Sequence, residues 1–404
     1  MEKGFQGMNI FIVCPRLCHG GAERVAVSLA NGFVNRGHRV LFFTDLFEEQ
    51  SYVLNETVAL YNLVSVPLPK VRKWVSAIWI LRKAIKKEKP DVIVGIMPTC
   101  SLISRIASLG LNTTVIASEH NVFERPDSSP MSLWGRVYKF HISKVFKWMT
   151  VLTKTDKKVL GGRKNVVVMP NPLAITPIVH VPEKKRIVLA AGRLDDWHCK
   201  GFDVLIRAWA RVVSSVNCHD SSISLDSAAL LSEEPELVSP WRLQIAGVCR
   251  DSRTKEYLDS IAMECGVSGQ IDYLGFVDDM KSLYQDASIF VLSSRFEGFG
   301  LVLIEAMSQG CACVACDYKG RQREIFGELK NEKLKSESVE VCKNGILCEP
   351  DNVEALAEGI KRMMEGEAYR KKVQKNSIER ASFYQIDQII ARWEMLMSRI
   401  IIKS

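Results

Sequence analysis

A chain of 404 residues exceeds one ordinary hydrophobic core, so two domains are expected. With 47% hydrophobic and 25% charged residues it reads as a soluble globular protein, not a disordered or fibrous one, and no apolar run reaches the roughly 18 to 20 residues that span a bilayer. Residues 1–180 carry 24 Lys+Arg against 12 Asp+Glu, a net of +12, while residues 181–404 carry 30 against 34, a net of −4. A basic half beside an acidic half points to an anionic surface or acceptor for the first half. Met1 to Gly7 does not read as a signal peptide, and twelve cysteines without one suggest reduced thiols in a cytosol.

Met8 to Val13 is strand-like, and Cys18-His19-Gly20-Gly21-Ala22-Glu23-Arg24 follows. Ala22, Val25, Ala26, Leu29 and Phe33 then repeat at helical spacing until Asn35-Arg36-Gly37-His38. Val40 to Thr44 is a second strand. This βαβ opening lacks G-x-G-x-x-G, so a dinucleotide cofactor is poorly supported. Its glycine pair suits a simple turn as well as a loop whose amides approach an anion.

Residues 70–89 hold eight Lys or Arg interleaved with Trp74, Ile78, Trp79, Leu81 and Ile85. Such a basic amphipathic helix can lie in a membrane interface, or it can pack its apolar face on a sheet. A second basic aromatic stretch, residues 134–148, favours a membrane-proximal acceptor. Asp91 to Ile96 and Thr114 to Ala117 are further strands, the latter running into Ser118-Glu119-His120-Asn121. Polar groups there stand at the sheet's carboxyl edge, where doubly wound folds bind ligands. Met149 to Thr153 and Val166 to Met169 close the first domain, and the passage from Pro170-Asn171-Pro172 through Pro182 reads as the linker.

Arg186 to Ala191 starts a new strand that ends in Gly192-Arg193. Lys200-Gly201-Phe202-Asp203 then opens a helix. Two cations seven positions apart at a strand end and a helix entrance suit two neighbouring phosphates. Asp203 would serve the helix start electrostatically. Val213 to Pro240 is polar and weakly patterned, and reads as an insertion loop. Trp241 to Gly247 and Ile271 to Phe276 are strand-like.

Ile289 to Leu292 is a short buried strand, followed by S-R-F-E-G-F-G-L-V-L-I-E-A-M-S-Q-G from Ser294 to Gly310. Gly298 and Gly300 make a turn, Leu301 to Gln309 forms a helix, and Gly310 stops it. The helix start offers unpaired amides to an anion, and Glu297 and Glu305 flank it. Two acids beside an anion site suit hydroxyls, and a nucleotide sugar supplies both hydroxyls and a pyrophosphate. Cys311, Cys313 and Cys316 read as part of a buried strand in preference to a metal site. A lysine-rich insertion is expected over Lys330 to Lys343, and amphipathic helices over Val353 to Met364 and Ser382 to Ile402.

E-G-F-G-L-V-L-I-E-A-M resembles the E-x7-E motif of retaining GT-B glycosyltransferases, in particular glycosyltransferase family 4. G-R-L with K-G-F-D, and G-G-A-E-R-V, extend the resemblance over nearly the whole chain. It implies an α/β fold of the GT-B type, with two Rossmann-like doubly wound domains facing a central cleft. The acceptor-side domain would span 1–175, with a C-terminal helix from about 385 to 404 packing back onto it; the donor domain would span 176–384. The resemblance assigns His120 and Glu297 to catalysis, and Gly21, Arg193, Lys200, Phe299, Gly300, Leu301 and Glu305 to the donor. It implies no metal and no cofactor, the nucleotide sugar being the substrate. The implied reaction retains configuration and moves a hexose or N-acetylhexosamine, from UDP by the Ser-Glu-His-Asn variant, to a glycan or lipid-linked acceptor. Nucleic acid is not expected as a partner. The location implied is cytoplasmic, peripheral on the inner face of the membrane. Competing readings are a nucleotide-sugar epimerase, a glycogen-synthase-like polymerase and a non-catalytic nucleotide-sugar-binding protein. Intact Arg193, Lys200, Glu297 and Glu305 oppose the last. The sequence departs from the family where Val248-Cys249 replaces a second glycine and where a proline near Ala312 is missing.

Overall fold

A computed structural model describes residues 7–18, 20–47, 50–64, 69–126, 129–220, 240–327 and 338–402. The chain divides into two compact units, Met1–Ala174 with Tyr384–Ser404, and Ile175–Phe383.

The first unit contains β1 (Asn9–Val13), α1 (Gly21–Asn35), β2 (Arg39–Thr44), β3 (Ala59–Asn62), α2 (Lys70–Glu88), β4 (Val92–Ile96), α3 (Met97–Ala107), β5 (Thr114–Ser118), α4 (Leu133–Phe140), β6 (Trp148–Val151), α5 (Lys154–Val159) and β7 (Val166–Val168). The strands form a parallel sheet in the order β3-β2-β1-β4-β5-β6-β7. Its inner strands are continuous apolar runs because helices cover both faces. Ile10, Phe11, Ile12 and Val13 are each fully buried.

The second unit contains β8 (Lys185–Ala191), α6 (Trp197–Lys200), α7 (Phe202–Asp220), β9 (Arg242–Ala246), α8 (Ser252–Glu264), β10 (Ile271–Gly275), α9 (Met280–Asp286), β11 (Ala287–Leu292), α10 (Leu301–Ser308), β12 (Ala312–Cys316), α11 (Arg321–Phe326), β13 (Val339–Cys342), β14 (Gly345–Cys348), α12 (Val353–Glu365) and α13 (Glu367–Ala381). Its sheet runs β10-β9-β8-β11-β12-β14-β13, parallel except for the β13–β14 pair. Each unit is thus doubly wound, as the resemblance implies. In each, strand order reverses beside the first strand, and the carboxyl ends there are where doubly wound folds bind ligands. In the second unit that switch point lies between β8 and β11.

The last helix, α14 (Ile386–Ile401), packs on α1 within the first unit. Gly32 makes room for it: a Cβ at that position would lie 2.8 Å from Cγ1 of Ile390. Trp393 meets Phe33 edge-on with ring centroids 6.4 Å apart. Arg36 donates to Glu394 at 2.8 and 3.2 Å. His38 Nδ1 accepts from the Met8 amide, so its Nε2–H donates to Glu394 at 3.0 Å.

Three expectations change. Residues 213–220 are helical, because α7 continues to Asp220 with Val212 and Val213 still against the core; residues 221–239 of the expected insertion lie outside the described residues. The end of the expected Lys330–Lys343 insertion is β13, an edge strand paired with β14; residues 330–337 lie outside the described residues. The two basic aromatic segments also part company. In α2, Ala77, Leu81 and Ile85 are buried, and Trp74 and Ile78 pack against the same core, leaving Trp79 exposed. That helix packs on the sheet. In the second segment Tyr138, Phe146 and Trp148 turn inward, while Leu133, Trp134, Val137 and Phe140 stay exposed. Cys311, Cys313 and Cys316 are buried at or in β12.

Candidate active site

The carboxyl ends of β8 and β11 carry most of the singled-out residues of the second unit. β8 ends in Gly192-Arg193, and α6 brings the chain round to Lys200. Gly201 then turns it into α7 with φ of 65°. Only glycine fits there: a Cβ would lie 2.1 Å from the Ser293 carbonyl oxygen. Ser293 Oγ returns a hydrogen bond of 2.8 Å to the Lys200 carbonyl. The stem of Lys200 lies along Gly192, whose missing Cβ leaves it room. The loop after β8 is therefore seated directly on the loop after β11.

This seating brings Lys200 and Glu297 together. Nζ lies 2.7 Å from Oε2, and Ser294 Oγ donates to the same oxygen at 3.4 Å. Burial pulls the Lys200 ammonium towards neutrality, but the Glu297 charge and hydrogen bond outweigh it and leave its pKa raised. Lys200 is thus a charged, largely buried cation. Gly300, at φ of 82°, is the N-cap of α10 and supplies no side chain, so the first amides of α10, beginning with Leu301, lack a side-chain cap. Phe299 is buried just before them. A cation, a carboxylate and a bare helix start converge on one sheet edge, an arrangement able to take a diphosphate and sugar hydroxyls.

Arg193 and Glu305 are placed differently. Arg193 is mostly exposed and pairs with Asp196 of its own loop. Glu305 is 1% exposed on the inward side of α10 and accepts from Tyr284 Oη at 3.3 Å.

Sequence reading missed the clamp behind these loops. Arg295 donates to both Asp203 oxygens at 2.8 and 2.7 Å, to the His198 carbonyl at 2.7 Å and to Asp351 at 2.7 Å. Asp203, in the first turn of α7 as expected, thus also holds an arginine. Asp195 accepts from the amides of Arg250 and Asp251 at 2.9 and 3.1 Å, fixing the loop that contains Val248-Cys249.

In the first unit Gly21 is the exposed first residue of α1. The Glu23 carboxylate occupies the space beside the preceding Gly20, its Oε2 lying 1.9 Å from where a Cβ would stand. His120 follows β5 and is held at both ring nitrogens, by Asn171 Oδ1 on Nδ1 and Ser118 Oγ on Nε2, each at 3.1 Å. An amide oxygen can only accept, so Nδ1 carries the proton and Nε2 accepts. Thr150 completes the chain by donating to Ser118 at 3.0 Å. Burial pulls the His120 pKa down to about 4 against the opposing Asn171 bond, so the ring is neutral at pH 7. Asn171, read as linker, is thus the partner that fixes its tautomer. Glu119 is buried, and its Oε1 accepts from Tyr138 Oη at 2.5 Å. Burial, partly offset by that bond, pushes its pKa up to about 7.

Comparison with known proteins fits this geometry. The family described as glycosyl transferases group 1 matches residues 174–380, and glycosyltransferase family 4 matches residues 19–175. Over 405 residues the chain is 25% identical to a Campylobacter jejuni protein named as the α-1,4-N-acetyl-D-galactosaminyltransferase that acts on a GalNAc-GalNAc-diNAcBac-PP-undecaprenol, covering 97% of this chain and 99% of that one. It is 23% identical over 379 residues to an uncharacterized glycosyltransferase of Haemophilus influenzae, covering 94% and 96%. Among solved structures, sucrose-phosphate synthase of Thermosynechococcus elongatus superposes with a TM-score of 0.75 at 16% identity, covering 98% of this chain and 100% of that one. Anabaena HepE, solved with UDP and glucose, gives 0.71 at 18% identity, covering 97% and 100%. These structures share the GT-B fold.

Proposed function

This chain belongs to the glycosyl transferases group 1 family and is a hexosyltransferase of GT-B fold; from that premise we propose that it is a retaining, metal-independent enzyme that transfers a hexose or N-acetylhexosamine from a UDP-sugar to a lipid-linked glycan in surface polysaccharide or glycoconjugate synthesis. The observation that carries this reading is the Lys200–Glu297 pair beside the bare start of α10. Lys200, Arg193 and the amides around Phe299, Gly300 and Leu301 would neutralise the leaving diphosphate, where negative charge develops as the glycosidic bond breaks. Glu297 would grip sugar hydroxyls and Glu305 ribose hydroxyls. The sugar's C1–O bond to phosphate breaks while a C1–O bond to the acceptor forms on the same face. The acceptor's proton passes to an oxygen of the departing phosphate. His120, neutral and held at both nitrogens by Ser118 and Asn171, would act as a fixed uncharged wall, not as a cation. UDP as carrier is supported by the HepE structure with UDP and glucose, and a lipid-linked acceptor by the name of the Campylobacter relative.

Contact with a membrane surface is part of the same reading. Among the described residues no helix is long and apolar enough to cross a membrane. α4 instead exposes Leu133, Trp134, Val137 and Phe140, with Arg136, Lys144 and Lys147 exposed nearby. From Ser128 to Thr155 the sequence holds no Asp or Glu, so anionic headgroups would meet cations alone.

The test is a panel of UDP-hexoses and UDP-N-acetylhexosamines with a lipid-linked acceptor, run with and without EDTA. Product anomeric configuration is read by proton NMR. Transfer that survives EDTA with configuration kept is expected. Inverted product, or loss of transfer in EDTA, overturns the corresponding part, and donor binding without any transfer overturns the whole.

A further inference from the structure

A cavity of about 340 Å³ opens in the first unit beside β5, lined among others by Glu119, Asn121, Phe123, Met131, Trp134 and Tyr138. Its volume lies within the range of small-molecule sites. The walls are mainly apolar and aromatic, and Trp134 is half exposed at its rim. Glu119 is among its lining residues, and the two oxygens of its carboxyl group are used unequally. Oε1 of Glu119 takes the Tyr138 hydroxyl, but Oε2 is buried and has no hydrogen-bond partner among the described residues. A buried acceptor left without a donor costs on the order of 1–3 kcal/mol, more if charged. Such a group is expected where a ligand supplies the missing proton.

We propose that this cavity is a subsite for one uncharged sugar ring of the acceptor, with Glu119 Oε2 accepting a hydroxyl or amide proton and Trp134 covering a face of the ring. Two features choose this ligand. The cavity is lined by one acid, Glu119, and one base, Arg125, so it carries no net charge that would select a phosphate over an uncharged ring. An aromatic wall beside a single acceptor matches a pyranose, which presents apolar C–H bonds on one face and hydroxyls at its edge. The location also fits, because Glu119 immediately precedes His120 and both are anchored to the end of β5. The proposal rests on the transferase reading and adds the place where one acceptor sugar is recognised.

The experiment uses the full-length protein and methyl glycosides of hexoses and N-acetylhexosamines as probes, with saturation-transfer NMR as readout. UDP binding is followed separately by thermal shift. Wild type should transfer saturation to at least one glycoside. Glu119→Gln presents an amide N–H where an acceptor stood, while its carbonyl still accepts from Tyr138; the signal should fall about tenfold or more. Trp134→Ala should do the same from the other side of the ring. Both variants should keep wild-type UDP stabilisation, which shows them folded. In the transfer assay the acceptor KM of Glu119→Gln should rise about tenfold, with donor KM unchanged. Absence of saturation transfer in wild type, or equal signals in wild type and both variants, means the cavity holds only water and overturns the proposal. A protein that binds the glycosides yet neither binds UDP nor transfers sugar would instead remove the transferase reading and leave the sugar site standing.

Discussion

Arg295 and Asp203 join through two parallel hydrogen bonds of 2.8 and 2.7 Å, and both side chains are nearly buried. One residue precedes Glu297 by two positions and the other follows Lys200 by three. The pair therefore fixes the spacing between the two loops that carry those groups. Lysine cannot reproduce the fork of a guanidinium. Arg295→Lys should cost about 1–3 kcal/mol of stability in the second unit. It should also lower kcat/KM about tenfold at temperatures well below unfolding. Thermal melts and donor kinetics check this. Wild-type kinetics in a destabilised variant would show that the clamp does not position the loops.

The Lys200–Glu297 pair makes opposite demands on binding and turnover. Glu297 neutralises the cation that a diphosphate needs. Glu297→Gln should therefore tighten UDP binding several-fold while reducing transfer about a hundredfold or more. Lys200→Met should weaken UDP binding at least tenfold. Calorimetry with UDP, set beside turnover, separates the two. Weaker UDP binding in Glu297→Gln would mean the carboxylate acts on the nucleotide and not on the sugar.

How much of this was legible in the sequence depends on the distance over which each contact acts. Continuous apolar runs such as Ile10 to Val13 and Ile289 to Leu292 announced buried parallel strands, because such strands lose the alternation of a half-exposed sheet. The turn at Gly300 and the start of α10 are local and were read directly. Arg295 with Asp203, and His120 with Asn171, join residues 92 and 51 positions apart, so only the fold reveals them. α2 and α4 read alike as basic aromatic helices. What separates them is which face meets the sheet, and Trp74 and Trp79 stand on different faces of one helix. The tail of α7 was hidden by polar composition, which weakens the helical pattern without breaking the helix.

The His120 ring should stay neutral across the physiological range. Its pKa falls from the ordinary 6.5 to about 4, burial being the larger influence. The folded state thus binds its proton less readily than the unfolded state. The stability this contributes is fully present above about pH 6.5 and is lost as pH falls towards 4. Histidine NMR should show one ring, protonated at Nδ1, that does not titrate between pH 8 and 5. Asn171→Leu removes the acceptor of that proton and should abolish the tautomer preference. A His120 resonance titrating near pH 6.5 in the folded protein would contradict the assignment.

The exposed row on α4 makes the membrane reading specific. Leu133 is 78% exposed and Phe140 51%, seven residues apart on an eight-residue helix, hence close to one face. Fully burying either side chain in an interface is worth about 1.5–3 kcal/mol, and nearby Arg136, Lys144 and Lys147 add attraction to anionic headgroups that salt weakens. Wild-type protein should therefore sediment with phosphatidylglycerol vesicles, much less with phosphatidylcholine, and be released by high salt. Leu133→Ser combined with Phe140→Ser should lower vesicle affinity about tenfold or more. The same pair should leave UDP stabilisation unchanged. Trp79→Ser on α2 serves as the control, because that helix is occupied by packing on the sheet. Sedimentation unchanged in the α4 pair, or a larger loss from Trp79→Ser, would take the membrane away from this face.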